Sequence, residues 1–433
     1  MAGRPDDFLL DDATEKMRIA FISYEYPPDT ADGGIATYVF QAARMLRARG
    51  HDVEVFAGSR QHEDVFDDQG VRVERLREED RHVFVERIGA AFARRHAERV
   101  FDVLEGPDCW AEAREAVRLV PDIPLVVKLH TPAFLVCRMN RPAITKARRL
   151  RVWAGAVRRG DKPYWHYDAS ADADRDHALE ADEIAAPSHA VWEAVNREWG
   201  LGAVPVSFFP LPFSPRADFL SIPPGGTGEA SGTTATFLGR LEARKGVLEL
   251  AKAIPFVLAA VPQSRFRFVG KSMGSPEHGK DMRTYLGEQL AEFGPRVEFQ
   301  DPVSAAGVPD VLRQADVCVF PSQWESFGLV ALEAMAAARP VVTSNQGGMA
   351  EILQHGKLGR VVNVMRPRQL AGAIVELLND AALRRQLGEA GRAEVLKNYG
   401  PAAVAPQQEA SYARAIARRK AIGPRNTPAL VKA

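Results

Sequence analysis

Met17-Arg-Ile-Ala-Phe-Ile-Ser23 is a short apolar run, and after a turn holding Asp32-Gly33-Gly34-Ile35 the chain passes into an amphipathic stretch from about Ile35 to Arg49. The first segment fits a buried strand and the second a helix packed on it, because its apolar residues recur every three or four positions. The alternation continues through strand candidates Val53–Ala57, Val71–Leu76, Phe101–Leu104, Leu125–His130, Glu183–Ala186 and Val204–Phe208. The intervening stretches leave room for crossover helices, so a mostly parallel sheet is expected.

Between Phe213 and Thr233 the chain turns rich in Pro, Gly and Ser, with Pro223-Pro-Gly-Gly-Thr-Gly228 at its centre. That composition breaks both periodicities and reads as a linker over 213–233. The rhythm then restarts with Thr234–Leu238, Phe266–Val269, Val297–Gln300, Val317–Phe320 and Val341–Ser344, interleaved with helical stretches such as Val247–Val261 and Pro367–Leu378. The expectation is α/β throughout: an N-terminal doubly wound domain over 17–212, a second over 234–398, and a helical tail over 399–433. Two such sheets side by side turn their carboxyl edges toward a shared cleft, where open α/β sheets bind ligands. At 433 residues the chain exceeds what one hydrophobic core usually serves.

Lys plus Arg and Asp plus Glu both number 56, a balance that argues against nucleic acid as partner. Cys109, Cys137 and Cys318 are too scattered for a disulfide framework or a zinc cage, which fits a reducing, cytoplasmic setting. Residues 1–16 read as a flexible acidic leader without the basic and apolar regions of a signal peptide, and no segment is apolar enough to span a bilayer.

Chemistry concentrates in Pro321-Ser-Gln-Trp-Glu325-Ser-Phe-Gly-Leu-Val-Ala-Leu-Glu333-Ala-Met335, between a buried strand and a helix. Glu325 falls in the turn and Glu333 about two helical turns on, roughly 12 Å away at 1.5 Å per residue, too far to share a metal ion. Carboxylates so spaced suit the two ends of an extended ligand. The free amides near Phe327, Gly328 and Leu329 at the helix start suit a diphosphate between them. Leu238-Gly-Arg240-Leu-Glu-Ala-Arg-Lys245-Gly246 follows the first strand of the second domain and brings Arg240 and Lys245 to the same edge as phosphate ligands. Gly33 and Gly34 allow close approach of a ligand to the first turn, and His130 emerges at the carboxyl edge of the first sheet.

Taken one at a time, these residues have plainer readings: helix-start charges for Glu325 and Glu333, a surface pair for Arg240 and Lys245, an ordinary turn for Gly33-Gly34, a structural histidine for His130. Asp172-Ala-Asp174-Arg-Asp176 reads as a solvated helix face. Arg138–Lys162 holds nine Lys or Arg and one acid, along with Trp153, and suits either a solvated basic helix or peripheral contact with anionic lipid. Tyr164-Trp-His-Tyr167 suits stacking on sugar rings or core packing.

Together, the glutamate pair with seven intervening residues, the Gly-Arg and Lys-Gly segment, the Gly-Gly loop and the strand-terminal His resemble the GT-B family 4 retaining glycosyltransferases, from about Met17 to Tyr399. The resemblance implies a metal-independent transfer from a nucleotide-diphosphate-sugar co-substrate, without further cofactor, to a carbohydrate, lipid or small-molecule acceptor. It implies that Arg240 and Lys245 neutralise the diphosphate, Glu333 binds the ribose, Glu325 faces the sugar, His130 stands at the reaction centre and Gly34 meets the donor phosphate. Two positions depart from the pattern: Ala350 stands where a proline is usual and Ala338 where a glycine is common. A sugar-nucleotide epimerase on the same fold and a silent nucleotide-sugar-binding regulator are the alternatives.

Overall fold

The computed structural model describes residues 15–30, 33–140, 146–159, 167–226 and 233–426; side chains 140–148 are not described. Residues 1–14 of the leader, Asp32, and much of the Tyr164–Tyr167 stretch lie outside this set.

The first sheet contains β1 (Arg18–Ser23), β2 (Asp52–Ser59), β3 (Asp64–Asp68), β4 (Val71–Arg77), β5 (Val103–Pro107), β6 (Leu125–Lys128), β7 (Glu183–Ala186) and β8 (Val206–Phe208), in the order β3-β4-β2-β1-β5-β6-β7-β8. All pairings are parallel except that of β3 with β4. The second contains β9 (Thr234–Leu238), β10 (Arg265–Val269), β11 (Val297–Gln300), β12 (Val317–Phe320), β13 (Val341–Ser344) and β14 (Arg360–Val362), all parallel, in the order β11-β10-β9-β12-β13-β14. Central strands are buried on both faces, which is why they read as apolar runs rather than alternating ones. The helix Gly34–Ala48 buries Tyr38, Val39, Ala42, Ala43, Met45 and Leu46, the face its spacing foretold.

Strand order reverses between β1 and β5 in one sheet and between β9 and β12 in the other. Loops there diverge to opposite faces of the sheet and leave a crevice at the carboxyl edge. The stretch read as a linker carries a short helix, Ala217–Leu220.

The helix Pro401–Ile422 returns from the second sheet to the first. Glu409 binds Arg49 and His51, the latter at 2.9 Å, and the Tyr412 hydroxyl donates to buried Glu105 at 2.7 Å. Arg419 and Arg425 close on Asp182, whose side chain has no exposed surface, at 2.8 and 2.6 Å. The tail therefore packs as part of the first sheet's assembly.

Asp174 corrects the solvated-face reading of its stretch. It is buried beside Asp108, and burial pushes its carboxyl up to about 8, while Asp172 caps the helix Ala173–Leu179 through the Asp174 N–H and accepts the Tyr167 hydroxyl at 2.6 Å.

Candidate active site

Five strand-following segments converge on one cavity of about 650 Å³ between the sheets. From the first sheet come Glu25, Gly33 and Gly34 after β1, Cys109 after β5, and His130 and Thr131 after β6. From the second come Gly239, Arg240, Arg244 and Lys245 after β9, then Ser322, Glu325, Phe327, Gly328, Leu329 and Glu333 after β12. Gly33, Gly34, His130, Arg240, Lys245, Glu325, Phe327, Gly328, Leu329 and Glu333, each read from the sequence as a site candidate, line this one space.

The second-sheet wall is built on glycines. Gly246 adopts φ 74°, and a Cβ there would come within 1.8 Å of the Pro321 carbonyl oxygen; the turn bearing Lys245 thus lies flush against the segment bearing Glu325. The Gln323 N–H donates to the Arg244 carbonyl at 2.9 Å across the same seam. Lys245 Nζ forms an ion pair with Glu325 Oε1, and Arg244 Nη1 stands 4.0 Å from the same oxygen. Burial alone would raise the Glu325 carboxyl, but Lys245, Arg244 and hydrogen bonds from Lys245 and Ser322 outweigh it and hold the group below its ordinary value. Glu325 is thus an anion at neutral pH with two cations, Arg244 and Lys245, close beside it. Arg240 is more exposed at the rim, with Nη2 3.3 Å from Glu242.

From behind, Gly347 and Gly348 support this segment. The Gly348 N–H donates to the Glu325 carbonyl at 2.8 Å, and Cβ atoms on the pair would lie 2.3 Å from the Glu325 and Ser326 carbonyl oxygens respectively. Only glycine lets the two backbones touch. Gly328, at φ 111°, then opens the helix Leu329–Ala336, whose first N–H groups have no intrahelical partner and face an anion favourably. Glu333, half-buried one turn further on, is raised by burial to about 7, with Arg216 opposing the shift.

Across the cavity, the His130 backbone N–H donates to Asp108 at 2.9 Å, and its ring meets the edge of Tyr38 at 5.6 Å. Burial, reinforced by the charge of Lys128, lowers the imidazole to about 3. His130 is therefore neutral at physiological pH and can hydrogen-bond a sugar hydroxyl without presenting a charge. β6 ends at Lys128, two residues short of the expected strand end, so the imidazole sits on the loop rather than in the sheet.

Sequence reasoning passed over Arg244 and Glu25. Arg244 lies within Leu238–Gly246, but only the 3₁₀ turn Ala243–Lys245 shows that it, rather than Arg240, is the arginine buried beside Glu325. Contacts between the halves frame the site: Ser188 Oγ donates to the Ser326 carbonyl at 2.6 Å, Thr131 Oγ1 lies 3.2 Å from Ser326 Oγ, and Glu351 accepts the His189 and Ala190 N–H groups at 2.9 and 2.7 Å. Ala338, where the resembling family favours glycine, takes a left-handed φ of 49°. In the basic segment, Arg138 is engaged with Glu198 at 2.7 Å, while the helix Lys146–Arg159 exposes Leu150, Trp153 and Val157, each more than half exposed.

Residues 32–214 match the family described as Glycosyltransferase Family 4, and residues 232–380 that described as Glycosyl transferases group 1. A D-inositol 3-phosphate glycosyltransferase of Kineococcus radiotolerans is 30% identical over 439 residues, covering 91% of this chain and 93% of the relative. A phosphatidyl-myo-inositol mannosyltransferase of Mycobacterium leprae is 29% identical over 404 residues, covering 90% and 95%. Among solved structures, sucrose-phosphate synthase of Thermosynechococcus elongatus superposes with a TM-score of 0.69 at 24% identity, over 93% of this chain and all of that one. The E. coli trehalose-6-phosphate protein bound with UDP-2-fluoro glucose does so with a TM-score of 0.65 at 15% identity, over 94% of this chain and 100% of that one. The two-sheet architecture is that of the GT-B fold.

Proposed function

This chain belongs to glycosyltransferase family 4, and from that premise we propose that it transfers a sugar from a nucleotide-diphosphate donor to an acceptor hydroxyl with retention of configuration and without a metal ion. The observation that carries this reading is the grouping of Arg244, Lys245 and Glu325 beneath the free amides of the helix Leu329–Ala336. A diphosphate between the amides and the cations would have its charge neutralised by groups already held in place, which is what a leaving group needs.

In this mechanism the bond from the anomeric carbon to the diphosphate oxygen loosens while Arg240, Arg244, Lys245 and the helix amides stabilise the departing charge. The acceptor oxygen bonds to the same face, and its proton passes to the leaving phosphate oxygen, so that a nucleoside diphosphate and a glycoside result. Glu325 orients the sugar and the cations, neutral His130 hydrogen-bonds a sugar hydroxyl across the cavity, and Glu333 accepts the ribose hydroxyls. The cross-cleft bonds at Ser188, Thr131 and Glu351 hold the two halves together, and a cleft so closed would limit the water that could hydrolyse the donor.

The test is nucleotide release from UDP-, GDP- and ADP-sugars, with product analysis to separate transfer from epimerisation. Arg240→Ala is expected to remain folded and to lose roughly thirtyfold to a thousandfold in kcat/KM, equivalent to ~2–4 kcal/mol. A folded, fully active Arg240→Ala would remove that residue from the scheme.

We also place a peripheral membrane contact on the helix Lys146–Arg159. Its exposed Leu150, Trp153 and Val157 are spaced to share one face, and its basic residues suit anionic headgroups. No helix among the described residues is long and apolar enough to cross a membrane. Sedimentation with phosphatidylglycerol vesicles that is lost in Trp153→Glu would support the contact, and unchanged sedimentation would refute it.

A further inference from the structure

One exposed aromatic, next in sequence to a cavity-lining residue, has no part in the transfer mechanism. Trp110 follows Cys109, a cavity-lining residue at the carboxyl end of β5, and is 50% exposed. Its backbone is left-handed, at φ 64°, and that of Ala111 is too, at φ 46°. Bulky residues rarely take this conformation, and strain of this kind persists where the surroundings enforce it, often at functional sites. Folding alone would be served better here by glycine.

The neighbours of Trp110 are not those of a core residue. His82, exposed, meets its ring edge-on at 5.5 Å, and the Arg81 guanidinium lies 5.7 Å from the ring centroid. Arg81 stacks on Tyr24 at 4.2 Å and is fixed by Glu112 at 2.6 Å and Glu25 at 3.1 Å. Glu25 in turn lines the reaction cavity, and its Oε2 is shielded from solvent without a hydrogen-bond partner among the described residues. A Cβ on Gly33 would stand 3.0 Å from that oxygen. Indole, imidazole, guanidinium and an unsatisfied carboxylate oxygen thus form a chain of contacts from the surface that reaches the cavity at Glu25, on the sheet opposite the one that carries Arg240, Arg244 and Lys245.

We propose that Trp110, with His82 and Arg81 beside it and Glu25 between it and the reaction centre, is the acceptor subsite and takes a hydroxylated ring, a sugar or cyclitol, stacked on the indole. The assignment rests on the transfer reading given above. A ring polyol has an apolar C–H face that suits an indole and a rim of hydroxyls that suits the polar groups around it. Glu25 Oε2 gains the hydrogen bond it lacks by accepting the reacting or a neighbouring hydroxyl. An acyl chain gains nothing from Arg81, Glu112 and Glu25. The ring can arrive free in solution or as a lipid headgroup.

The experiment uses the full chain labelled with 5-fluorotryptophan. Six tryptophans give six fluorine resonances, and Trp110→Phe identifies the relevant one by its disappearance. The protein is titrated with myo-inositol, methyl α-D-glucopyranoside and maltotriose for the free source, and with phosphatidylcholine vesicles with and without phosphatidylinositol for the headgroup source. The Trp110 resonance is expected to shift with at least one ring. Trp110→Gly, which relieves the backbone strain, is expected to melt no lower than the wild type yet weaken that ring's binding by roughly tenfold, whereas Trp110→Phe restores most of it. Donor KM stays unchanged in both variants. If no ring moves the Trp110 resonance, or if Trp110→Gly binds as the wild type does, the subsite is wrong. Nucleotide release without acceptor reports separately on the transfer reading: ring binding at Trp110 in a protein that turns over no donor would sink that reading and leave the subsite standing.

Discussion

Replacing Gly347 by Ala tests whether the position of Glu325 depends on the glycine pair behind it. The added methyl would lie 2.3 Å from the Glu325 carbonyl oxygen and 2.7 Å from its nitrogen, whereas ordinary contact begins at 3.4 Å. Both clashing atoms are backbone, so no side chain can rotate aside, and the Glu325 segment must retreat by about 1 Å. A displacement of that size at a reacting centre costs on the order of a hundredfold in rate, or ~2.7 kcal/mol of barrier. The variant also carries a non-glycine residue at φ 84°, which destabilises the fold by ~1–2 kcal/mol. Gly356→Ala separates the two effects, because its φ is 109° while no atom lies within 4 Å of the added methyl. Nucleotide release and thermal melts on both variants form the assay. Similar losses of stability are expected, with activity lost only in Gly347→Ala. Wild-type turnover by Gly347→Ala would refute the claim that this backbone contact positions the carboxylate.

Arg244→Ala leaves Glu325 with Lys245 as its remaining close cation and is expected to lower kcat/KM roughly tenfold to a hundredfold in steady-state assays, although the resembling pattern stresses its neighbours. Burial raises the Glu333 carboxyl to about 7, so donor KM should climb as pH drops below 7 and the ribose loses its anionic acceptor; a profile equally steep in Glu333→Gln would exclude this role. The same shift makes Glu333's contribution to stability full below its ordinary 4.5 and lost as pH rises through 7, a trend that melts of Glu333→Gln should lack. Asp182→Ala strands Arg419 and Arg425 against a fully buried site and should cost ~3–5 kcal/mol in urea unfolding; a change under ~1 kcal/mol would show the tail to be dispensable for the first sheet.

Much of the second sheet was legible because its strands are short and bounded by turn residues: Thr234–Leu238, Val317–Phe320 and Val341–Ser344, with buried centres, and the half-buried edge strand Val297–Gln300, whose Val and Phe alternate with polar residues, are read at their observed limits. Two edge strands were not. Asp64–Asp68 carries three aspartates in five residues and is held only by antiparallel pairing with β4, while Arg360–Val362 is three residues long. Neither contains enough apolar periodicity to stand out, since an edge strand borrows its order from its neighbour.

The site divides along the same physical line. His130, Arg240, Lys245, Glu325 and Glu333 were legible because each follows a recognisable strand, and a doubly wound sheet sends whatever follows its strands to one edge. What the sequence hid depends on contacts between segments far apart along the chain. Gly347 and Gly348 matter because they touch Glu325 and Ser326, some twenty residues earlier, and Arg244 because the left-handed Gly246 lays its turn against Pro321. The helix Pro401–Ile422 has a weakly amphipathic pattern, since what it buries includes Gln408, Glu409 and Arg419. Among the partners of those polar groups are Glu105, His51 and Asp182, all on the first sheet's side of the molecule and far away in sequence. A buried polar side chain advertises nothing in a hydrophobic pattern, and its partner is fixed only once the fold has formed. Tethering by these bonds keeps the second sheet's last helix on the first sheet, so the two walls of the cavity share one continuous support, and the approach of Glu325 to His130 is governed in part by residues more than 70 positions beyond either.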